Sequence, residues 1–167
     1  MASIALSSMR AVARPAMLRM TAPRAAVRAF STTRMAFIKK YTAEHEWVDL
    51  SADRKSGTIG ITEYAAEKLG DVVYVELPEM TDEFVAQGDA VGAVESVKSA
   101  SDINAPIRCK ITQRNLLLEQ TPAKINQVPE DDSKAGGWVV KVEVDEEGAQ
   151  QYDELMDAEA YKAFVAE

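Results

Sequence analysis

The chain has 167 residues, 47% of them hydrophobic, and carries 19 Lys plus Arg against 27 Asp plus Glu, a net −8. It is large enough for one packed domain and too apolar for a disordered chain. No stretch of about eighteen apolar residues occurs, so no membrane-spanning helix is expected; one Cys and one His exclude an internal disulfide framework and a soft-ligand zinc site, and disfavour hydrolytic triads.

The charge is unevenly spread. Residues 1–35 hold six Arg (Arg10, Arg14, Arg19, Arg24, Arg28, Arg34), nine Ala and seven Ser plus Thr, with no Lys, no acid and no Gly. This Arg-rich, acid-free composition predicts a mitochondrial transit peptide over residues 1–35 and a matrix location. A secretory signal fits worse, for want of a long apolar stretch before a small-residue cleavage site, and a basic arm for nucleic acid is the other reading. The run Arg28-Ala-Phe30-Ser-Thr-Thr33 resembles a matrix processing site, placing the mature start between Ser31 and Ile38. The remaining domain, 36–167, keeps 13 bases and all 27 acids, a net −14. That charge argues against nucleic acid and anionic membrane surfaces, and favours basic protein partners.

Along this domain, Glu46–Leu50 and Thr58–Ile61 read as strands around the polar turn Asp53–Gly57, a plausible hairpin. Thr62 caps a short helix, Glu63–Leu69, that Gly70 ends. Asp71–Leu77 is the strongest strand signal, stopped by Pro78. After the Gly88-Asp89 turn come strands at Ala90–Val97, Ile103–Pro106 and Cys109–Gln113, then a helical turn at Asn115–Glu119. Residues 120–137 read as a long loop, and Trp138–Val144 as a clean final strand. Tyr152–Ala166 reads as a terminal helix or helix pair with Asp157 as a cap. Many short strands separated by turns predict a mainly β sandwich or barrel-like sandwich with helices at its margins. Glycine-rich phosphate loops are absent.

The segment carrying chemistry is Gly88-Asp-Ala-Val-Gly-Ala-Val-Glu-Ser-Val-Lys98-Ser-Ala-Ser-Asp-Ile-Asn-Ala-Pro106. An apolar strand rises into Glu95-Ser-Val-Lys98 and an extended segment leaves, so a single Lys stands at or near a turn; the bland alternative is a solvated strand end. This pattern resembles the lipoyl and biotinyl carrier superfamily, in which the modified Lys protrudes from a tight β-turn. Val97 and Ser99 flank the Lys where a biotin carrier has Met, which favours lipoyl. Further motifs narrow the resemblance. Glu44-His-Glu-Trp47, Gly60-Ile-Thr-Glu-Tyr-Ala-Ala66, Leu69-Gly-Asp-Val-Val-Tyr-Val-Glu-Leu-Pro78, Glu95-Ser-Val-Lys98 and Gly137-Trp138 stand in the order found in the glycine cleavage H-protein family, over about residues 40–165.

The resemblance implies a lipoyl/biotinyl-type barrel-sandwich hybrid with short marginal helices and a C-terminal helix. It implies lipoate amide-linked to Lys98, and a non-catalytic shuttle. The arm would accept an aminomethyl group from a pyridoxal-phosphate glycine decarboxylase, present it to an aminomethyltransferase using tetrahydrofolate, and be reoxidised by dihydrolipoamide dehydrogenase. His45, Glu46 and Asp102 are the implied pocket for the loaded arm, and Glu95 is a candidate recognition residue for the lipoyl-attaching enzyme. Without the resemblance, Glu46 and Asp102 are two of 27 acids and His45 a surface residue.

Tethering suits this chemistry, because it replaces diffusion by a local search at high effective concentration. A soluble carrier that visits several enzymes is expected to be a monomer. The chain departs from the family where Ile107-Arg108-Cys109 replaces a small glycine turn, over Asn115–Asn126, and at Glu44, where a small polar residue is common. If the Cys109 turn needs positive φ it carries strain; otherwise the turn has another shape. Alternative functions are a lipoyl donor or relay for 2-oxoacid dehydrogenases and an unmodified scaffold of the same fold; an independent enzyme ranks last, since no nucleophile with a partnered base can be named.

Overall fold

The computed structural model describes residues 38–166. The transit-peptide expectation falls on residues outside that range.

Two antiparallel sheets form the architecture. The larger runs in the order β1 (Lys40–Tyr41), β2 (Glu46–Leu50), β3 (Ser56–Ile61), β8 (Val140–Glu143), β7 (Lys110–Arg114). The smaller comprises β4 (Val72–Glu76), β5 (Ala90–Ser96) and β6 (Ala100–Asn104), with β5 in the middle. Among the described residues five short helices complete it: α1 (Glu63–Leu69), α2 (Leu117–Gln120), α3 (Lys124–Gln127), α4 (Glu146–Glu154) and α5 (Ala158–Val165). This is the mainly β architecture the strand pattern predicts.

The strands are rich in Val and Ile, whose branched side chains fill a pleated surface well. Val48, Ile59 and Val140 from the larger sheet and Val75, Val91, Val94 and Ile103 from the smaller join one core cluster, all nearly or wholly excluded from solvent. Burying each such side chain is worth about 1.5–3 kcal/mol. A second cluster of Tyr41, Trp47, Trp138 and Tyr161 covers the opposite face of β2. There Tyr161 of α5 stacks on Tyr41 with ring centroids 4.6 Å apart. With both faces covered, every residue of β2 is buried, Glu46 and Asp49 included.

Local signals set the helix boundaries. The Thr62 hydroxyl accepts the Ala65 N–H at 3.2 Å, and Gly70 closes α1. Asp145 caps α4 through the Gly148 N–H, and Asp157 caps α5 through the N–H groups of Glu159 and Ala160.

The structure corrects several boundaries. The return strand is Ala100–Asn104, not Ile103–Pro106: pairing of Glu95 with Ala100 and of Val94 with Ser101 begins it directly after the turn. Its first three residues are exposed, so no hydrophobic alternation announces them. Inside the expected 120–137 loop, α3 forms one turn that buries Ile125. The helical turn falls at 117–120 instead of 115–119. The C-terminal segment is two helices, the first starting at Glu146 and crossing the expected start at Tyr152. The two-residue β1, unanticipated, pairs through Tyr41 with both Trp47 and Met156. Cys109 is wholly buried, pairs with Val85 and has no positive φ, so the turn before it has another shape and the thiol carries no backbone strain.

Candidate functional site

β5 and β6 pair in register from Ala93↔Asp102 to Glu95↔Ala100. This leaves Val97 and Lys98 as a two-residue turn at the hairpin tip. Two-residue hairpin turns usually place positive φ at one or both central positions. Neither Val97 nor Lys98 has one. Ser96 holds the turn instead. Its N–H donates to the Ser99 carbonyl at 2.8 Å, and its hydroxyl donates to the same oxygen at 3.1 Å. The hydroxyl also accepts the N–H groups of Lys98 and Ser99, each at 3.1 Å. The Val97 N–H reaches back to the Asp71 carbonyl at 3.2 Å, tying the tip to the residue before β4.

Lys98 is exposed and forms no ion pair among the described residues. Its stem passes over Gly70: a Cβ built there would lie 3.1 Å from both Cε and Nζ of Lys98. Gly70 has φ 75° and ψ −154°, a conformation essentially confined to glycine. One glycine thus ends α1 and leaves a smooth seat beneath the lysine stem. Asn126 fixes that seat, donating from Nδ2 to the Gly70 carbonyl at 2.7 Å and accepting the Val72 N–H at 2.9 Å. Read locally, Gly70 is a helix stop and Asn126 lies in a loop; nothing local links either residue to Lys98.

The tip has an apolar shoulder and an acidic surround. Val97 is 70% exposed. A register irregularity between Val72 and Tyr74 turns Val73 and Tyr74 both outward. Glu95, the candidate recognition residue, is exposed and faces Tyr74 and Ala100 across the sheet. Glu67 and Asp71 are exposed as well.

The three candidate arm-pocket residues occupy different settings. Asp102 is exposed on β6, four residues from Lys98, about 13 Å along a strand. Glu46 is buried, and its two carboxylate oxygens are engaged: Oε1 accepts the Asn104 N–H at 3.0 Å, and Oε2 accepts the Thr42 hydroxyl. Glu46 therefore joins β2 to β6 two residues beyond Asp102. His45 has φ 76° and turns its ring toward α5. Its Nδ1 lies 2.9 Å from the Tyr161 hydroxyl, and its ring packs on Tyr64 with centroids 4.7 Å apart. No hydrogen bond or ion pair joins His45, Glu46 and Asp102 to one another among the described residues.

Glu46 also lines a cavity of about 420 Å³ at the end of the β5–β6 hairpin remote from Lys98. Glu44, Gln87, Asn104 and Met156 share that wall. Sequence reasoning missed Gln87, Asn104 and Met156, which come from three separated segments. Cys109 is inert by position: burial pushes its thiol up to about 12. Among the described residues, no cluster of three His, Cys, Asp or Glu could hold a metal.

The turn thus presents an exposed primary amine on a backbone fixed by the Ser96 hydrogen bonds. The glycine cleavage H-protein family matches residues 39–167. The chain belongs to that family. It is 45% identical over 130 residues to a glycine cleavage system H protein of Thermotoga maritima, covering 78% of this chain and 98% of the relative. A protein of the same name from Phenylobacterium zucineum is 48% identical over 127 residues, 76% of this chain and 98% of the relative. Among solved structures, the glycine cleavage system H protein of Mycobacterium marinum superposes with a TM-score of 0.64 at 35% identity, covering 78% of this chain and 98% of that one.

Proposed function

We propose that this chain is the lipoyl-carrying shuttle of a glycine cleavage system, with lipoate amide-linked to Lys98. The observation that carries the reading is the presentation of Lys98. It is the exposed amine, without an ion pair among the described residues, of a two-residue turn whose backbone is fixed by Ser96 and tied to Asp71. That site fits an amide-linked arm, because acylation removes a charge that forms no ion pair among the described residues. Bound lipoate supplies a dithiol/disulfide couple and a sulfur able to carry a one-carbon amine unit, chemistry that belongs to the cofactor.

The protein's own residues present, orient and shield. Ser96 keeps the tip from collapsing as partners bind and leave. Gly70 lets the lysine stem lie against the end of α1 without a side chain in its path. Asp102, partway down β6, offers a carboxylate to the cationic amine of a loaded arm. Glu46 and His45 are the further pocket residues of this reading, Glu46 on the wall of the 420 Å³ cavity. Glu95, beside the turn, is the residue by which the lipoyl-attaching enzyme recognises it.

The partners are a pyridoxal-phosphate glycine decarboxylase, an aminomethyltransferase and dihydrolipoamide dehydrogenase, visited in turn by a monomeric, non-catalytic carrier. Arg-rich residues 1–35 serve as a transit peptide, and the carrier works in the mitochondrial matrix. The net −14 of residues 36–167 suits basic partner surfaces.

The test has two stages. Lipoate–protein ligase with ATP and lipoate should add one lipoyl mass to a peptide containing Lys98, and none to the Lys98→Arg variant. The lipoylated protein should then support exchange of labelled carbon dioxide into glycine by glycine decarboxylase. Failure to modify Lys98 overturns the carrier reading in favour of an unmodified scaffold. Modification without exchange points to a lipoyl donor for 2-oxoacid dehydrogenases.

A further inference from the structure

The outer face of the larger sheet carries a second cavity, of about 360 Å³, unconnected with the Lys98 turn. Four adjacent strands build it: Asp49 on β2, Thr58 on β3, Lys141 on β8 and Thr112 on β7. Asp132, from the segment before β8, closes one side.

Asp49 is the anomaly. The residue is only 7% exposed, and its Oδ1 has no hydrogen-bond partner among the described residues. A buried carboxylate oxygen without a donor is unfavourable, and natural cores leave few of them. Burial and the neighbouring Asp132 carboxylate push the Asp49 carboxyl up to about 6, while the Lys39 ammonium pulls the other way. Asp49 is therefore a buried acid with one oxygen that no donor among the described residues satisfies.

None of the nearby cations forms an ion pair with Asp49 among the described residues. Lys39 donates to the Glu130 carbonyl and stands 4.6 Å over the Trp47 ring. Lys141 sits 5.0 Å over the Trp138 ring. Arg54 is ion-paired to Asp153 at 2.8 Å.

We propose that this cavity receives the guanidinium of an arginine from a basic partner surface, seated between Asp49 and Asp132. The chemistry of the walls selects this occupant. Two carboxylates and the hydroxyls of Ser56, Thr58 and Thr112 can accept hydrogen bonds, and guanidinium offers five donors in a planar fork. Guanidinium is also more weakly hydrated than ammonium, so it enters a site that desolvates it at lower cost. The cavity is of side-chain size, far larger than a bare cation needs, and the described residues include no three-acid cluster for a metal. The net −14 of residues 36–167 draws a basic surface toward it. Because the site lies on the larger sheet, a partner anchored there leaves the tip of the smaller sheet free to move its cargo. The proposal does not depend on the lipoyl reading.

The test is an amide-resolved NMR titration of the full chain with N-acetyl-arginine methylamide, its citrulline analogue and magnesium chloride as probes. The arginine probe should give saturable shifts at the amides of Asp49, Thr58, Thr112 and Lys141. The neutral citrulline probe should bind at least tenfold more weakly, and Asp49→Asn should abolish saturation. Asp132→Asn, a change nearer the surface, should weaken binding several-fold and serves if the first variant does not fold. Absence of saturable shifts, equal binding of citrulline, or unchanged binding in both variants overturns the proposal. Saturation of the same amides by magnesium, with arginine excluded, overturns it in favour of a metal site.

Discussion

Replacing Gly70 by Ala separates the two tasks assigned to that residue. At φ 75° and ψ −154°, a residue with a Cβ is strained by about 1–3 kcal/mol. Alanine returns about 0.4–1 kcal/mol, because the unfolded chain loses freedom. The net loss is about 1–2 kcal/mol, which lowers the melting temperature of a domain this size by about 3–7 °C. The second effect is local. The new methyl would stand 3.1 Å from Lys98 Cε and Nζ, so the exposed stem must shift by a few tenths of an ångström. That displacement costs little stability but removes the stem's fixed direction. Lipoyl attachment to Gly70→Ala, followed by intact mass against time, should therefore be several-fold slower than wild type while reaching the same final occupancy. Gly88→Ala is the control. Gly88 has φ 86° with nothing within 4 Å of a built Cβ, and it lies at the other end of the hairpin. It should lose comparable stability, read by circular dichroism melting, with attachment unchanged. A Gly70→Ala melting point within about 1 °C of wild type would refute the strain argument, and equal slowing by Gly88→Ala would refute the seat.

Ser96→Ala removes the acceptor for two turn N–H groups and should cost about 1 kcal/mol in urea unfolding, with faster amide exchange at Lys98 and Ser99; unchanged exchange at both would show that the turn is held by other means. Asp49 gives a pH signature of definite sign. Its carboxyl is raised from 3.8 to about 6 in the folded state, so the folded protein binds this proton more tightly and loses stability as pH rises from about 4 to about 6. Asp49→Asn should therefore be more stable than wild type by on the order of 1–3 kcal/mol above about pH 7 and nearly equal below about pH 4; an advantage independent of pH would contradict the burial argument. Cys109, with its thiol pushed up to about 12 by burial, should resist an aromatic disulfide reagent near pH 8 and react only as fast as the domain unfolds, so rapid labelling of folded protein would place the thiol at the surface.

The strands written in β-branched residues, the capped helix α1 and the turn bearing Lys98 were legible in the sequence. β6 was misjudged because Ala100, Ser101 and Asp102 are all exposed, and only pairing to β5 makes them a strand. The helical turn α3 was hidden in a segment of polar and proline residues, where Ile125 gains its burial from tertiary packing. The site divides the same way. Lys98 stood out because its neighbours in sequence make its turn. The contact of Glu46 with Asn104 joins residues 58 apart, and that of Tyr161 with His45 residues 116 apart. No local pattern encodes either.

By itself, then, the sequence determined the mainly β class, the helix caps and the lysine at a hairpin tip, and its motif order pointed to the family. Each of these depends on forces acting within a few residues: side-chain branching, hydroxyl and carboxylate capping, and glycine's freedom. Only the tertiary structure decided what lies beneath and around those residues. It set Gly70 under the lysine stem, engaged both oxygens of Glu46, turned His45 toward α5 and left Asp49 buried without a donor. Such neighbours are chosen by how two sheets and five helices close over a shared core, and burial and hydrogen bonding there depend on the partner that arrives, not on the residue that waits for it.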